Sequence, residues 1–344
     1  MMFDDPSLTP PPSPCCSSLP PTQKPTFIYP INPPELVAAL LEEHDDETEQ
    51  AAVWVLPYAH KPGMSRKLNE AIREQCEQLS SQKLRLVVGC TVHAGDGEEG
   101  GLLPEEVLSE ALEGGAKAAK LHCSVGDYDV LDRRLRQFYK LAEAARIPVV
   151  IHGGLSIMGT TSTEDLAHIG PLCREFPLLP VILGTVSPNS SSASNKAHNI
   201  FVSQAHAGHP STETALLLCA LHPNLYLDTT PVLDQLISFP KSTPPSQLLS
   251  LVLKGRILFG SDTPTVTVTR SYLAFDVRRW IREAVAKCVG SLGIEDMYAE
   301  MGRIGEEAER MVFGEAASRL ESGVRSVGEA RGELKEGTKL KGKL

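Results

Sequence analysis

The feature that most constrains this chain is a repeated alternation. Short β-branched, apolar runs are each followed by a longer stretch with apolar residues every three to four positions. AAVWVLP (Ala51–Pro57) reads as a strand and RKLNEAIREQCEQL (Arg66–Leu79) as a helix. LRLVVGCTV (Leu84–Val92) is followed by the helix pattern Pro104–Gly115, with proline at its start and glycine at its end. Ala116–Ser124 precedes the helical stretch Tyr128–Arg146, and PVVIHGG (Pro148–Gly154) precedes Thr163–Phe176, a helix that its internal proline is expected to interrupt. Asn224–Thr230 and Arg256–Pro264 read as late strands. The strands are apolar on both faces, as in a parallel sheet covered by helices. With TFIYPI (Thr26–Ile31) and a strand ending at His206 the count reaches eight, which predicts a (β/α)8 TIM barrel with an atypical first strand. A doubly wound open sheet is the rival, weakened because no GxGxxG follows the first strand.

The ends differ from this body. Residues 1–25 form a Pro/Ser-rich stretch, read as a disordered arm, and 315–344 read as a low-complexity tail that frays or forms a loose helix. The folded body is expected over 26–314. A formal charge of −10 argues against a nucleic-acid partner. No run approaches the ~18 apolar residues of a membrane span. The eight cysteines include no CxxC pair and sit mostly in apolar segments, which suits buried thiols in the reducing cytoplasm.

Polar residues interrupt the apolar strands at particular places. Lys120 lies in AKAAKLHC, His152 ends PVVI, His206 lies in AHAGHP and Asp262 in FGSDTP. In a barrel these four meet at one mouth, where an amine, two imidazoles and a carboxylate suit a divalent ion with a base or electrophile beside it. Lys120 is open to three roles: pairing with a substrate carboxylate, carrying a carboxylated bridge between metals, or a salt bridge near Asp262. His209, His122 and His93 are secondary candidates for lining the substrate pocket, and Asp228 and Thr229 for shaping it.

On these motifs the chain resembles the amidohydrolase superfamily, in particular the amidohydrolase-related branch that includes aminocarboxymuconate-semialdehyde decarboxylase. GAKAAKLHC resembles that branch's fourth strand, PVVIHGG its fifth, AHAGHP its sixth and FGSDTP its eighth. The resemblance covers about Phe27–Gly314 and implies a metal-dependent hydrolase of a small carbonyl substrate, with zinc as the expected ion. It implies His152 and Asp262 as metal ligands, Asp262 also as acceptor of the attacking water's proton, and His206 as polariser of the carbonyl. A non-oxidative decarboxylase would use the same site. A small-molecule substrate is the expected partner, and a homo-oligomer is left open.

Two departures stand out. The family's first strand carries an HxH pair of metal ligands, and this sequence has no HxH; Phe27 and Tyr29 hold the equivalent spacing. That favours a second function class, a catalytically impaired barrel serving as a binding or scaffold protein. LPVILG (Leu179–Gly184) also reads as a sixth strand, yet NIFVSQAH (Asn199–His206) reads as another. Deleting 186–204 would join LPVILGT to AHAGHP, so this stretch is expected to be a loop insertion or a retained intron, with Val-Ser and Gln codons able to form its borders.

Overall fold

The computed structural model describes residues 51–98, 100–153, 162–184, 212–229, 245–260, 279, 281–283, 285–286 and 297–341. Seven strands form one sheet: β1 (Ala51–Val55), β2 (Leu84–Thr91), β3 (Ala118–Leu121), β4 (Val149–His152), β5 (Val181–Gly184), β6 (Leu225–Asp228) and β7 (Ile257–Leu258). All pair in parallel and in sequence order. The sheet curls into a half-barrel, an incomplete (β/α)8 barrel. The longer described helices between the strands are α1 (Ser65–Leu79), α2 (Pro104–Glu113), α3 (Arg136–Ala145), α4 (Ser162–Glu175), α5 (Thr212–Leu221) and α6 (Pro245–Leu253), and a single turn of helix, Cys123–Gly126, follows β3. Beyond β7 come α7 (Met297–Arg310), a wide turn at Met311–Glu315, α8 (Ala316–Ser322) and α9 (Val327–Lys341).

Alternation along each strand separates two cores. Ala119, Leu121, Val149, Ile151, Val181, Leu183, Leu225, Leu227 and Ile257 point outward and pack under the helices. Val150, Ile182 and Leu258 point inward, with Trp54, Leu56 and Tyr226 against them. Met311, Ala316 and Leu320 from the C-terminal helices join this inner cluster. Phe259 N–H bonds Val312 O at 2.9 Å, Arg85 makes a two-pronged contact with Glu321, and Arg325 N–H donates to Ala145 O at 2.8 Å. The segment expected as a loose tail therefore contains packed helix. Its large apolar residues are few, but small ones such as Ala316 and Ala330 are buried.

Two further expectations are corrected and one is met. The helix expected from Tyr128 begins with a tight turn at Arg133–Leu135 and runs as α3 from Arg136. Asp129 and Asp132 accept from Leu131 N–H and Arg134 N–H, local bonds that favour turn over helix. α4 is continuous through Pro171. One backbone bond is lost there, yet Leu166, Ile169, Leu172 and Cys173 remain buried, and packing of this face outweighs it. Finally, Val181–Leu183 pairs directly with both Val149–Ile151 and Leu225–Leu227, so no other strand lies between β4 and β6. Leu179–Gly184 thus supplies the strand that this part of the sheet uses. Thr26–Ile31 and Asn199–His206 lie outside the described residues.

At the bottom of the sheet, residues that precede a strand close the preceding helix. Asn224 Nδ2 donates to Phe176 O (2.9 Å) and Leu179 O (3.0 Å) beyond α4. Arg256 Nη2 reaches Cys219 O (3.2 Å), His222 O (2.5 Å) and Leu225 O beyond α5. Both tie the turn that follows a helix to a later part of the chain, and Arg256 also serves the Cys219 carbonyl in the last turn of α5. Elsewhere, the fully enclosed Tyr139 hydroxyl donates to Val130 O at 2.7 Å and fixes the turn before α3. Tyr139→Phe should cost about 1–2 kcal/mol because that buried carbonyl loses its donor. Urea denaturation reads this as a lower midpoint at unchanged slope.

Candidate functional site

The C-terminal ends of β3 to β6 carry a row of residues on the inner face. Lys120 aligns with Val150, which aligns with Ile182. Two residues further on, the rim holds His122, His152, Gly184 and Asp228. His152 aligns with Gly184. Since residues two apart share a strand face, all four belong to the inner side.

The backbone beneath them is tightly held. Asn69 clamps Thr91 with both ends of its amide, accepting from Thr91 N–H at 2.8 Å and donating to Thr91 O at 2.9 Å. The Thr91 hydroxyl in turn donates to Lys120 O at 2.8 Å and accepts from Ala59 N–H at 3.2 Å. A helix residue thus fixes β2, and β2 fixes the backbone of the lysine.

Lys120, His122 and His152 are buried. The His122 and His152 rings stack with centroids 3.8 Å apart and planes 17° from parallel, and Tyr58 lies 5.1 Å from His122 on another side. Burial first, and then the Lys120 charge, pushes His122 down to about 3, so its ring is neutral at physiological pH. Ser124 Oγ lies 3.3 Å from His122 Nδ1 and fixes that ring's orientation.

Gly184 opens a notch in this row. A Cβ built there would stand 2.9 Å from Asp228 Oδ2, 3.4 Å from Val150 Cγ1 and 3.5 Å from Lys120 Nζ. The long Lys120 side chain climbs from the layer below into the space that the glycine leaves.

His93, expected at the pocket mouth, is a structural knot instead. Its Nε2 donates to Gly126 O at 2.8 Å and its Nδ1 accepts from Gly95 N–H at 3.0 Å, so both ring nitrogens are used within the fold. Asp96, which sequence reasoning passed over, completes the knot by accepting from His93 N–H and Gly63 N–H, both at 2.8 Å. The DG turn after HA was its only signal. His206, His209 and Asp262 lie outside the described residues. Of the expected residues, the structure therefore brings together Lys120, His122 and His152, with Asp228 beside them.

A divalent ion would find an imidazole donor in His152, and in His122 if the stacked rings splay. Among the described residues, however, no group of three or more His, Cys, Asp or Glu side chains has metal-holding geometry. Parallel stacked rings do not converge their lone pairs on one point, so the described donors alone do not make the family's site.

A family model described as amidohydrolase matches residues 44–320. This chain belongs to the amidohydrolase family. The match spans β1 to α8 and takes in the whole rim row. No curated protein matches the sequence. Among solved structures, an uncharacterised TIM-barrel protein from Bordetella bronchiseptica is 19% identical, with 70% of this chain and 73% of that chain covered and a TM-score of 0.44. Dihydroorotase from Campylobacter jejuni is 13% identical, covering 74% and 78%, with a TM-score of 0.42. Dihydroorotase from Saccharomyces cerevisiae, solved with 5-fluoroorotic acid, is 12% identical, covering 86% and 81%, with a TM-score of 0.48.

Proposed function

We propose that this amidohydrolase-family chain hydrolyses a small carbonyl compound at a C–N, C–O or C–C bond, working at the rim formed by β3 to β6. The observation that carries the reading is the convergence of Lys120, His122, His152 and Asp228 at the ends of β3, β4 and β6, where barrel enzymes keep their chemistry. In this reading the Lys120 ammonium receives an anionic group of the substrate. Neutral His122 offers a hydrogen-bond donor or acceptor without charge, and with Tyr58 it walls the pocket. His152 is assigned as a metal ligand together with Asp262. His206 serves the carbonyl oxygen and His209 the substrate. Zinc is the proposed ion, as the family resemblance implies. The bond cleaved, hydrolysis against decarboxylation, is left to the substrate.

The described cysteines Cys76, Cys90, Cys123, Cys173 and Cys219 are all free and buried. Burial pushes Cys90 and Cys173 up to about 12, so neither is a nucleophile, and free thiols of this kind support a reducing, cytoplasmic setting. No described helix is long and apolar enough to cross a membrane.

Metal analysis of the purified chain tests the proposal. About one tightly held divalent ion per chain, removable by a chelator, is the expected result. A folded chain that takes up no ion when dialysed against zinc overturns it. That result would favour the second reading, a barrel that binds a ligand without catalysis, to which the missing HxH pair already points.

A further inference from the structure

Gly184 was not among the site residues expected from the sequence, and Asp228 was expected only to shape the pocket, yet the two govern where the buried lysine can go. We propose that Asp228 is the positioning partner of Lys120, and that Gly184 is the notch through which the two side chains meet. Three observations carry this. Lys120 is 9% exposed, and its Cα sits one layer below the rim, level with Val150 and Ile182. Its Nζ nevertheless reaches within 3.5 Å of the place that a Gly184 Cβ would take. Asp228 Oδ2 approaches that same place from the neighbouring strand β6, to 2.9 Å. An ammonium and a carboxylate thus flank one vacant side-chain position, each within contact distance of a Cβ placed there.

Glycine leaves this position open to both groups. A Cβ at 184 would stand 2.9 Å from the carboxylate oxygen, so a side chain there makes Asp228 shift. Burying an ammonium without a counter-charge is costly, so a carboxylate beside it keeps the lysine charged and aimed at the rim. Among the described residues, the other titratable side chains on this face of β3 to β6 are His122, His152 and Tyr226. The arrangement suits a carboxylate-bearing substrate: the lysine offers its remaining N–H donors at the rim while Asp228 fixes its direction. This deepens the proposed function and rests on the same rim being the site.

The test reads Lys120 directly and needs no substrate. The full chain is pulsed with acetic anhydride at pH 8, and acetylation of Lys120 is measured by peptide mass spectrometry relative to the exposed Lys254. Asp228→Asn is expected to raise the Lys120:Lys254 ratio about 5- to 10-fold, because loss of a neighbouring opposite charge frees more neutral amine. Asp228→Glu is expected to restore the wild-type ratio, which a merely structural role would not do. Gly184→Ala is expected to raise the ratio in the same direction by displacing the carboxylate. An Asp228→Asn ratio within twofold of wild type overturns the proposal, as does Asp228→Glu behaving like Asp228→Asn. If Asp228→Asn fails to fold, Gly184→Ala decides alone, and an unchanged ratio overturns the pairing. Metal content is measured on the same samples. A metal-free chain that shows the expected ratios keeps the pair and overturns only the hydrolase reading.

Discussion

Replacing Arg256 by alanine should lower stability by about 3–4 kcal/mol, enough to move the melting temperature down by roughly 6–15 °C in a protein of this size. The carbonyls of Cys219, His222 and Leu225 lose the guanidinium, while His222 O keeps the Leu225 N–H and Leu225 O keeps the Cys219 thiol. The side chain is buried and also lies over the Tyr226 ring, 4.9 Å from its centre. The Cys219 carbonyl in the last turn of α5 loses its guanidinium donor, and the packing of the buried side chain is lost with it. Arg256→Lys retains the charge but not the planar fork, and should recover only part of the loss. A calorimetric scan of the three proteins checks this. An Arg256→Ala melting temperature within 2 °C of wild type, against an expected drop of about 6 °C or more, would show that the contacts contribute little.

The second large effect concerns the rim. His152→Ala should reduce divalent-metal affinity by about 100-fold or more, so that a chain carrying an ion in its wild-type form is isolated nearly empty. The same substitution removes the ring that stacks on His122. His122→Phe therefore serves as the control: it keeps an aromatic partner for His152 and removes no ligand of the proposed set. Metal bound per chain should fall with His152→Ala and survive His122→Phe. The opposite pattern would make His122 the ligand and His152 its support.

Much of the sheet was legible because its code is simple. Runs such as PVVI and LPVIL are apolar at every position, and a strand covered on both faces needs nothing more. His152 stood out because it ends such a run, and the structure places it on the inner rim beside His122 and above Lys120. The rest of the site depends on contacts far apart in sequence. Nothing near His93 reveals that its ring nitrogens belong to the backbone of Gly95 and Gly126. The pairing of helix ends with Asn224 and Arg256 is equally invisible, since each reaches carbonyls of a helix that ended many residues earlier. The start of α3 was misread because Tyr128–Leu135 has helical apolar spacing, whereas Asp129 and Asp132 give the backbone a competing local bond. Gly184 read as punctuation at a strand end. Only the register reveals that an amine and a carboxylate approach the same vacant position.

The packing of the C-terminal helices has a consequence for biogenesis. Met311, Ala316 and Leu320 seal the inner face that Trp54, Leu56 and Leu258 line, and Phe259 hydrogen-bonds Val312. During synthesis, every described strand leaves the ribosome before this seal exists. The nascent sheet must therefore wait with part of its hollow side wet and its outermost strands vulnerable to foreign pairing, an interval in which a chaperone would find its natural client.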